Sequence, residues 1–167
     1  MNRFFKMCVL IATIIIVDQI TKGIVQQKFF LGESIPIVKD FFHLTYVRNP
    51  GAAFGMGANS PGIIRIPFFF VLPVLACFGL IYAVWITRNK NFWNCLAYSL
   101  IFAGAVGNLI DRFSMNYVVD FFDFFIGTHH FAAFNIADSS ITIAAIILIV
   151  ELLFFSKKKE DSATGTI

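Results

Sequence analysis

The chain has 167 residues, of which 58% are hydrophobic and only 14% carry a charge, and its mean hydropathy is +0.79. A soluble domain usually has about 25% charged residues, so this composition excludes an ordinary soluble domain and indicates that lipid covers much of the surface. The net charge of +3 comes without a basic stripe of interleaved aromatic residues, which argues against nucleic acid as a partner.

Four apolar runs divide the chain, each close to the roughly 20 residues that a helix needs to cross a bilayer. They predict transmembrane helices over about residues 4–24, 66–86, 92–113 and 136–155. The first run lacks a small-residue A-x-A cleavage site, so we expect a retained helix and not a cleaved signal peptide. The three cysteines lie inside the runs without C-x-x-C spacing, which predicts apolar packing and neither a disulfide nor a zinc site.

The basic residues predict how these helices are oriented. They concentrate before the first run, between the second and third, and after the fourth: Arg3, Lys6, Arg88, Lys90 and residues 157–159. Residues 114–134 contain no Lys or Arg. By the positive-inside tendency, both termini are cytoplasmic, and residues 27–65 and 114–134 lie outside. Residues 1–156 are expected to form a single membrane domain, followed by a disordered tail over 157–167.

The two outer segments are predicted to differ in structure. Within residues 27–65, the pieces 35–38 and 42–47 are rich in residues that favour strands, and a Pro-Gly turn follows them. These pieces predict a small β-sheet lying on the outer face of the membrane. Residues 114–134 contain repeated phenylalanines, and we expect a loop or a short amphipathic element on the same surface.

Polar residues form stripes on three of the predicted helices, all at the outer end. The stripes comprise Asp18 and Lys22 on the first helix, Gly104, Gly107, Asn108 and Asp111 on the third with Arg112 beside them, and Asn135, Asp138, Ser139 and Thr142 on the fourth. Ionisable groups inside a bilayer usually face the interior of a helix bundle or a wet cavity. Three stripes at one depth therefore predict one shared polar pocket, with the glycines allowing close helix approach.

Asp120 and Asp138 are the acids for which this part of the chain offers no counter-ion. No Lys or Arg occurs between Arg112 and Lys157. Two neighbouring carboxylates cannot both ionise easily, so a pair of this kind shares one proton and can supply both a general base and a general acid. Asp123 is the weaker candidate, expected to be solvated one helical turn further on.

Other interpretations of the polar residues stay open at this point. Asp18 with Lys22, and Asp111 beside Arg112, are also typical of pairs that orient helices, and Asn135 stands where a helix N-cap is expected. Intramembrane carboxylates also occur in small proton-coupled transporters and in purely structural scaffolds. The adjacent His129 and His130 are a poor chelate, so no metal or other cofactor is predicted.

Five sequence blocks together resemble the prolipoprotein signal peptidases (signal peptidase II) in order and spacing. The blocks are "DQITK" (18–22), "RNPGAAFG" (48–55), "AGAVGNLIDR" (103–112), "VVDFFD" (118–123) and "FNIADSSI" (134–141). One block alone would be weak evidence, but the five span nearly the whole chain.

The resemblance implies a metal-independent aspartic endopeptidase in the bacterial cytoplasmic (inner) membrane, with four transmembrane helices, an outer β-cradle and a periplasmic helical loop. Such an enzyme removes the signal peptide of a prolipoprotein by cutting before the cysteine that bears diacylglycerol. Its substrates are diacylglyceryl-prolipoproteins, membrane lipids surround it, and we expect a monomer. The implied catalytic residues are Asp120 and Asp138. The implied supporting residues are Asp18, Lys22, Asn49, Gly51, Asn108, Asp111, Arg112, Asn135 and Ala137.

Overall fold

The structure is a computed structural model that describes residues 2–51, 56–57 and 60–154. Within these residues, four helices are long and apolar enough to cross a membrane: α1 (Arg3–Lys28), α2 (Gly62–Thr87), α3 (Phe92–Met115) and α4 (Ile136–Phe154). The four predicted transmembrane helices are thus confirmed, with α1 and α2 starting or ending about a turn beyond the predicted bounds. Residues 52–55 of the second sequence block, and the tail over 157–167, lie outside the described residues.

Side-chain caps and backbone constraints explain where the helices begin and end. The Asn2 side chain accepts a hydrogen bond from the Phe4 N–H at the start of α1, and Asn91 accepts one from Asn94 at the start of α3. Helix α3 stops at Asn116, which adopts the left-handed conformation with φ of 65°. Within α2, residues Pro67–Val71 form a π-helical turn, at a proline that removes one backbone donor.

A small antiparallel sheet covers one end of the bundle. Among the described residues its strand order is β1 (Ser34–Val38), β2 (Phe42–Asn49), β3 (Val118–Ile126) and β4 (His129–His130). The two strands predicted near residues 35–38 and 42–47 are confirmed as β1 and β2.

The segment over 114–134 differs from the loop or short amphipathic element that the sequence led us to expect. Its central part is the nine-residue strand β3, which pairs antiparallel with β2. The run of valines and phenylalanines favours a strand, and the free backbone groups of β2 provide its partner. The stretch that follows β3 also returns to it, because Phe134 and Phe122 exchange backbone hydrogen bonds of 3.1 and 2.8 Å. This return places the start of α4 beside β3.

The strand also changes the expected environment of Asp123. Side chains alternate between the two faces of a strand, so Asp120 and Asp123, three positions apart, point to opposite faces. Asp123 is not solvated as expected. It is buried, accepts a hydrogen bond from Thr45 Oγ1 at 3.0 Å and lies 2.9 Å from Nδ1 of His130.

Helix α3 is the most buried of the four helices, and two of its glycines let neighbouring helices approach closely. A Cβ atom on Gly104 would lie 2.4 Å from the carbonyl oxygen of Ala137 in α4. One on Gly107 would lie 2.7 Å from Oδ2 of Asp18 in α1. Only glycine permits these contacts, which bring the polar stripes of α1, α3 and α4 together.

Candidate active site

The centre of the site is a buried ammonium group. Lys22 is 2% exposed, and its Nζ lies 2.8 Å from Oδ2 of Asp18, 2.9 Å from Oδ2 of Asp111 and 3.0 Å from Oδ1 of Asn108. The predicted pairing of Asp18 with Lys22 is confirmed. Asp111 also pairs with Lys22 and not with its neighbour Arg112. A buried charge of this kind needs such complete pairing to be tolerated.

The two carboxylates around Lys22 also tie separate elements together. Asp18 accepts a hydrogen bond of 2.9 Å from the backbone N–H of Ala137 in the first turn of α4. Asp111 accepts one of 3.1 Å from the backbone N–H of Val119 in β3. Both predicted supporting acids therefore hold the start of α4 and the start of β3 in place, and the buried Ala137 acts through its backbone.

Gln19 belongs to this arrangement, although the sequence analysis missed it. Its Nε2 donates to Oδ2 of Asp18 at 3.2 Å, to the carbonyl oxygen of Gly107 at 3.2 Å and to Oδ1 of Asp111 at 3.0 Å. The i, i+4 rule that links Asp18 to Lys22 says nothing about a residue between them. The only signal was the position of Gln19 inside the first sequence block.

Asp120 lies on β3 and is 2% exposed. Its Oδ2 accepts from Asn49 Nδ2 at 3.1 Å, and its Oδ1 accepts from Asn135 Nδ2 at 2.7 Å. Burial, and next the neighbouring charge of Asp138, raise the pKa of Asp120 from the ordinary value of 3.8 to about 7, against these hydrogen bonds. Asp120 can therefore hold a proton near neutral pH.

Asp138 lies in the first turn of α4 and forms a reciprocal cap with Asn135. The Asn135 side chain accepts from the Asp138 N–H at 2.9 Å, and Asp138 Oδ2 accepts from the Asn135 N–H at 3.3 Å. The predicted N-cap role of Asn135 is therefore confirmed. The other oxygen of Asp138 accepts from Asn108 Nδ2 at 2.7 Å.

Asn108 and Asn135 connect the two aspartates. The ammonium of Lys22 donates to Oδ1 of Asn108, which leaves Nδ2 of Asn108 to face Asp138. Asn135 Nδ2 lies 3.2 Å from Oδ1 of Asn108 and 2.7 Å from Asp120. We call the connected residues the polar cluster: Asp18, Gln19, Lys22, Asn108, Asp111, Asp120, Asn135 and Asp138.

Both Asp120 and Asp138 line one cleft of about 540 Å³. Asn49, Ser139 and Thr142 add polar groups, and Ala132, Ala133, Phe134, Ile141 and Ile143 supply the remaining walls. Clefts of this size accommodate a ligand as large as a short peptide. Two carboxyl groups with unequal environments, facing one cleft, have the arrangement needed for general acid and general base chemistry on a bound amide.

Gly51 and Arg112, the remaining predicted supporting residues, are linked to this cleft through Asn49. Gly51 is buried, its N–H donates to the Asn49 side chain at 3.0 Å, and its carbonyl oxygen accepts from Arg112 at 3.3 Å. His129 and His130 lie on β4, and His130 contacts Asp123 on the face of β3 opposite Asp120. Across the described part of the chain, no group of three or more His, Cys, Asp or Glu residues could hold a metal ion.

The sequence profile of signal peptidase (SPase) II matches residues 10–154. The chain belongs to the signal peptidase II family. A lipoprotein signal peptidase of Desulforapulum autotrophicum is 43% identical over 153 residues, covering 89% of this chain and 92% of the relative. One of Bacillus pumilus is 36% identical over 150 residues, covering 90% of this chain and 94% of the relative.

Two solved structures of bacterial membrane enzymes are similar to this chain in fold and sequence. A bacterial membrane enzyme solved by the in meso method at 2.3 Å has a TM-score of 0.75 and 34% identity, covering 97% of this chain and 92% of that one. A second, at 1.9 Å, has a TM-score of 0.75 and 35% identity, covering 89% and 93%. The family resemblance of the five blocks is thus confirmed, and the protein is a membrane-embedded peptidase of a bacterial family.

Proposed function

We propose that the protein removes the signal peptide from diacylglyceryl-modified prolipoproteins, using Asp120 and Asp138 as the catalytic pair. The family membership and the names of its relatives support the substrate class. The observation that carries the catalytic assignment is that both carboxyl groups line the same cleft. One chain supplies both carboxyl groups and the walls of the cleft, so the proposed reaction does not need a second copy, and we expect a monomer to be the working unit.

In the working state that we propose, Asp120 carries the shared proton and Asp138 is charged. The raised pKa of Asp120 supports the first assignment. The position of Asp138 in the first turn of α4, at the positive N-terminal end of the helix, supports the second. The two groups titrate as a pair, so this assignment describes their predominant singly protonated state.

The first chemical step is the attack of water on the amide. Asp138 takes a proton from water while the water oxygen bonds to the carbonyl carbon, and Asp120 gives its proton to the carbonyl oxygen. The tetrahedral intermediate then collapses. Asp138 passes its proton to the leaving nitrogen as the C–N bond breaks, and Asp120 removes the proton of one hydroxyl group as the C=O bond re-forms. Both aspartates return to their starting states.

The elements around the cleft suggest how substrate is held. Asn49 sits between Asp120 and the Gly51 backbone, so it can orient the carboxyl group and an extended substrate together. Arg112 fixes the same backbone stretch through the carbonyl oxygen of Gly51. The apolar wall formed by Ile141 and Ile143 of α4 suits a signal helix that enters from lipid. The distribution of basic residues supports a cleft at the outer face, with both termini cytoplasmic.

Incubation of the purified protein with a diacylglycerylated precursor and its unlipidated twin tests this function. The expected result, read by mass spectrometry, is that the lipidated precursor alone loses its signal peptide and begins at the lipidated cysteine. A precursor that stays intact in the presence of folded protein would overturn the proposal. Solute movement in reconstituted vesicles without cleavage would instead support the transporter interpretation.

The catalytic pair is tested by Asp120→Asn and Asp138→Asn. Each change removes one partner of the proton transfers, so the cleavage rate should fall by at least about a hundredfold. Asp123→Asn is the matched control, because Asp123 lies on the same strand but faces away from the cleft, and its cleavage rate should stay within a few-fold of the starting protein. Substantial cleavage by a folded Asp120→Asn or Asp138→Asn protein would remove that residue from the pair.

A further inference from the structure

A second cavity lies between α2 and α3, outside the cleft that holds the two aspartates. It is a groove of about 740 Å³ whose walls are largely apolar, including Ile66, Phe70, Val74 and Leu75 of α2 and Phe113 of α3. Two arginines, Arg65 and Arg112, line the same groove. No member of the proposed catalytic pair contributes to it.

The two guanidinium groups of the groove donate to the carbonyl oxygens of neighbouring residues. Nη2 of Arg65 donates to the carbonyl oxygen of Pro50 at 3.3 Å, and Nη2 of Arg112 donates to that of Gly51, also at 3.3 Å. Pro50 and Gly51 are consecutive, so their Cα atoms are about 3.8 Å apart. Both positive charges therefore converge on one short stretch of backbone.

These two guanidinium groups have unused hydrogen-bonding capacity. The Nε atoms of Arg65 and Arg112 are buried without a hydrogen-bond partner among the described residues. Within that part of the chain, neither arginine has a carboxylate oxygen within 4.0 Å. Guanidinium groups bind phosphate oxygens with paired hydrogen bonds, so the arrangement suits a phosphate group.

The part of α2 that lines the groove is about as long as one leaflet of a bilayer is thick. From Arg65 to Leu75 there are ten helical steps, which correspond to about 15 Å along the axis. Half of the hydrocarbon core of a bilayer is also about 15 Å. The arginines are at the end of the bundle that carries the polar cluster, because Arg112 is next to Asp111 on α3. The groove therefore combines two cationic groups near the outer end of the bundle with an apolar wall on α2 that is about one leaflet long.

We propose that this groove binds an anionic phospholipid of the outer leaflet. Arg65 and Arg112 contact the headgroup phosphate, and one acyl chain lies along Ile66, Phe70 and Leu75. The charge of the two arginines selects a lipid with net negative charge over a zwitterionic or neutral lipid of the same chain length. Neither proposed catalytic aspartate lines the groove, although Arg112 also holds the backbone of Gly51 beside the cleft. The occupancy of the groove does not depend on which bond the enzyme cleaves.

The proposal is tested by native mass spectrometry of the purified protein in mixed micelles that contain one lipid at a time. The probes are phosphatidylglycerol, phosphatidylcholine and diacylglycerol with identical acyl chains. The expected result is that the protein retains phosphatidylglycerol about tenfold more tightly than either other lipid. This difference in affinity corresponds to one charge-assisted hydrogen bond. Equal retention of diacylglycerol would overturn the proposal and assign the groove to neutral lipid chains, and equal retention of phosphatidylcholine would overturn the selection by charge.

Variants then locate the binding to this groove. Arg65→Gln should lower the retention of phosphatidylglycerol about tenfold, and Arg65→Lys should restore part of it, because lysine keeps the charge but not the paired donors. Lys39→Gln is the control, since it removes the same charge from an exposed turn between β1 and β2. A folded Arg65→Gln protein that retains phosphatidylglycerol as well as the Lys39→Gln protein would overturn the assignment. The comparison of lipids on the unaltered protein tests the proposal even if Arg65→Gln fails to fold.

Discussion

At the scale of single residues, Lys22 determines how the polar cluster is ordered. Its ammonium occupies the oxygen of the Asn108 side chain, so that the Asn108 amide nitrogen can donate only toward Asp138 and not away from it. Two carboxylates neutralise Lys22, and each of them also holds the backbone of a different element. A substitution at Lys22 would therefore alter the hydrogen bonding of Asp138 indirectly, through Asn108.

The pH dependence of cleavage is also a property of single residues. The pKa of Asp120 is raised to about 7, so Asp120 keeps its proton below that pH and loses it above. Because the protonated Asp120 is the proposed general acid, kcat/KM should fall about tenfold per pH unit as the pH rises beyond about 7. The measurement is kcat/KM from pH 6 to 9 in one detergent, with the fold checked at each pH. A rate that stays level or rises between pH 7 and 9 would contradict the role of Asp120 as the acid.

At the scale of elements, the close contact of α3 with α4 is the most sensitive packing feature. In Gly104→Ala the new methyl group would meet the Ala137 carbonyl oxygen at 2.4 Å and Ser140 Oγ at 2.6 Å. The backbone oxygen cannot rotate away, so the helices must separate. We expect a loss of about 1–3 kcal/mol of stability and a clear drop in cleavage rate, because Asn108 and Asp138 separate as well.

Gly79→Ala on α2 is the matched control for Gly104→Ala, because a Cβ there would have no atom within 4 Å. Its thermal unfolding temperature in detergent should stay level or rise, since alanine favours the helix more than glycine does. The same unfolding experiment and the same cleavage assay serve both variants. If Gly104→Ala unfolds at the same temperature as Gly79→Ala, the close contact between α3 and α4 does not determine the stability of the protein.

The elements also differ in how far the sequence predicted them. The four helices could be predicted because a span needs about 20 apolar residues, and such runs are visible without any partner. Strand β3 could not, because its partner β2 lies far away in the chain: Asn49 and Asp120 are 71 positions apart. Without the strand, the opposite orientations of Asp120 and Asp123 were also hidden. The acids on the predicted helices could be assigned to the site from their helical spacing, whereas no spacing rule identifies Gln19 as part of it.

At the scale of the whole molecule, the proposed orientation in the membrane rests on the distribution of basic residues and can be measured directly. Lys39 lies in the proposed outer segment and Lys90 in the proposed cytoplasmic link between α2 and α3. In a Cys8→Ser background, Lys39→Cys should react with an impermeant maleimide on intact cells, and Lys90→Cys only after permeabilisation. Cys77 and Cys95 are buried and should not interfere. The opposite labelling pattern would place the cleft on the cytoplasmic side.

The polar cluster draws on nearly the full length of the chain, since the Asp18 side chain meets the Ala137 backbone across 119 positions. During synthesis on the ribosome, α1 emerges first and α4 last. Asn135 and Asp138 therefore arrive after every other group of the cluster has already been inserted. A partly made chain therefore lacks two groups of the polar cluster until α4 has been added, and we expect a copy that ends before α4 to have no part of the proposed cleavage activity.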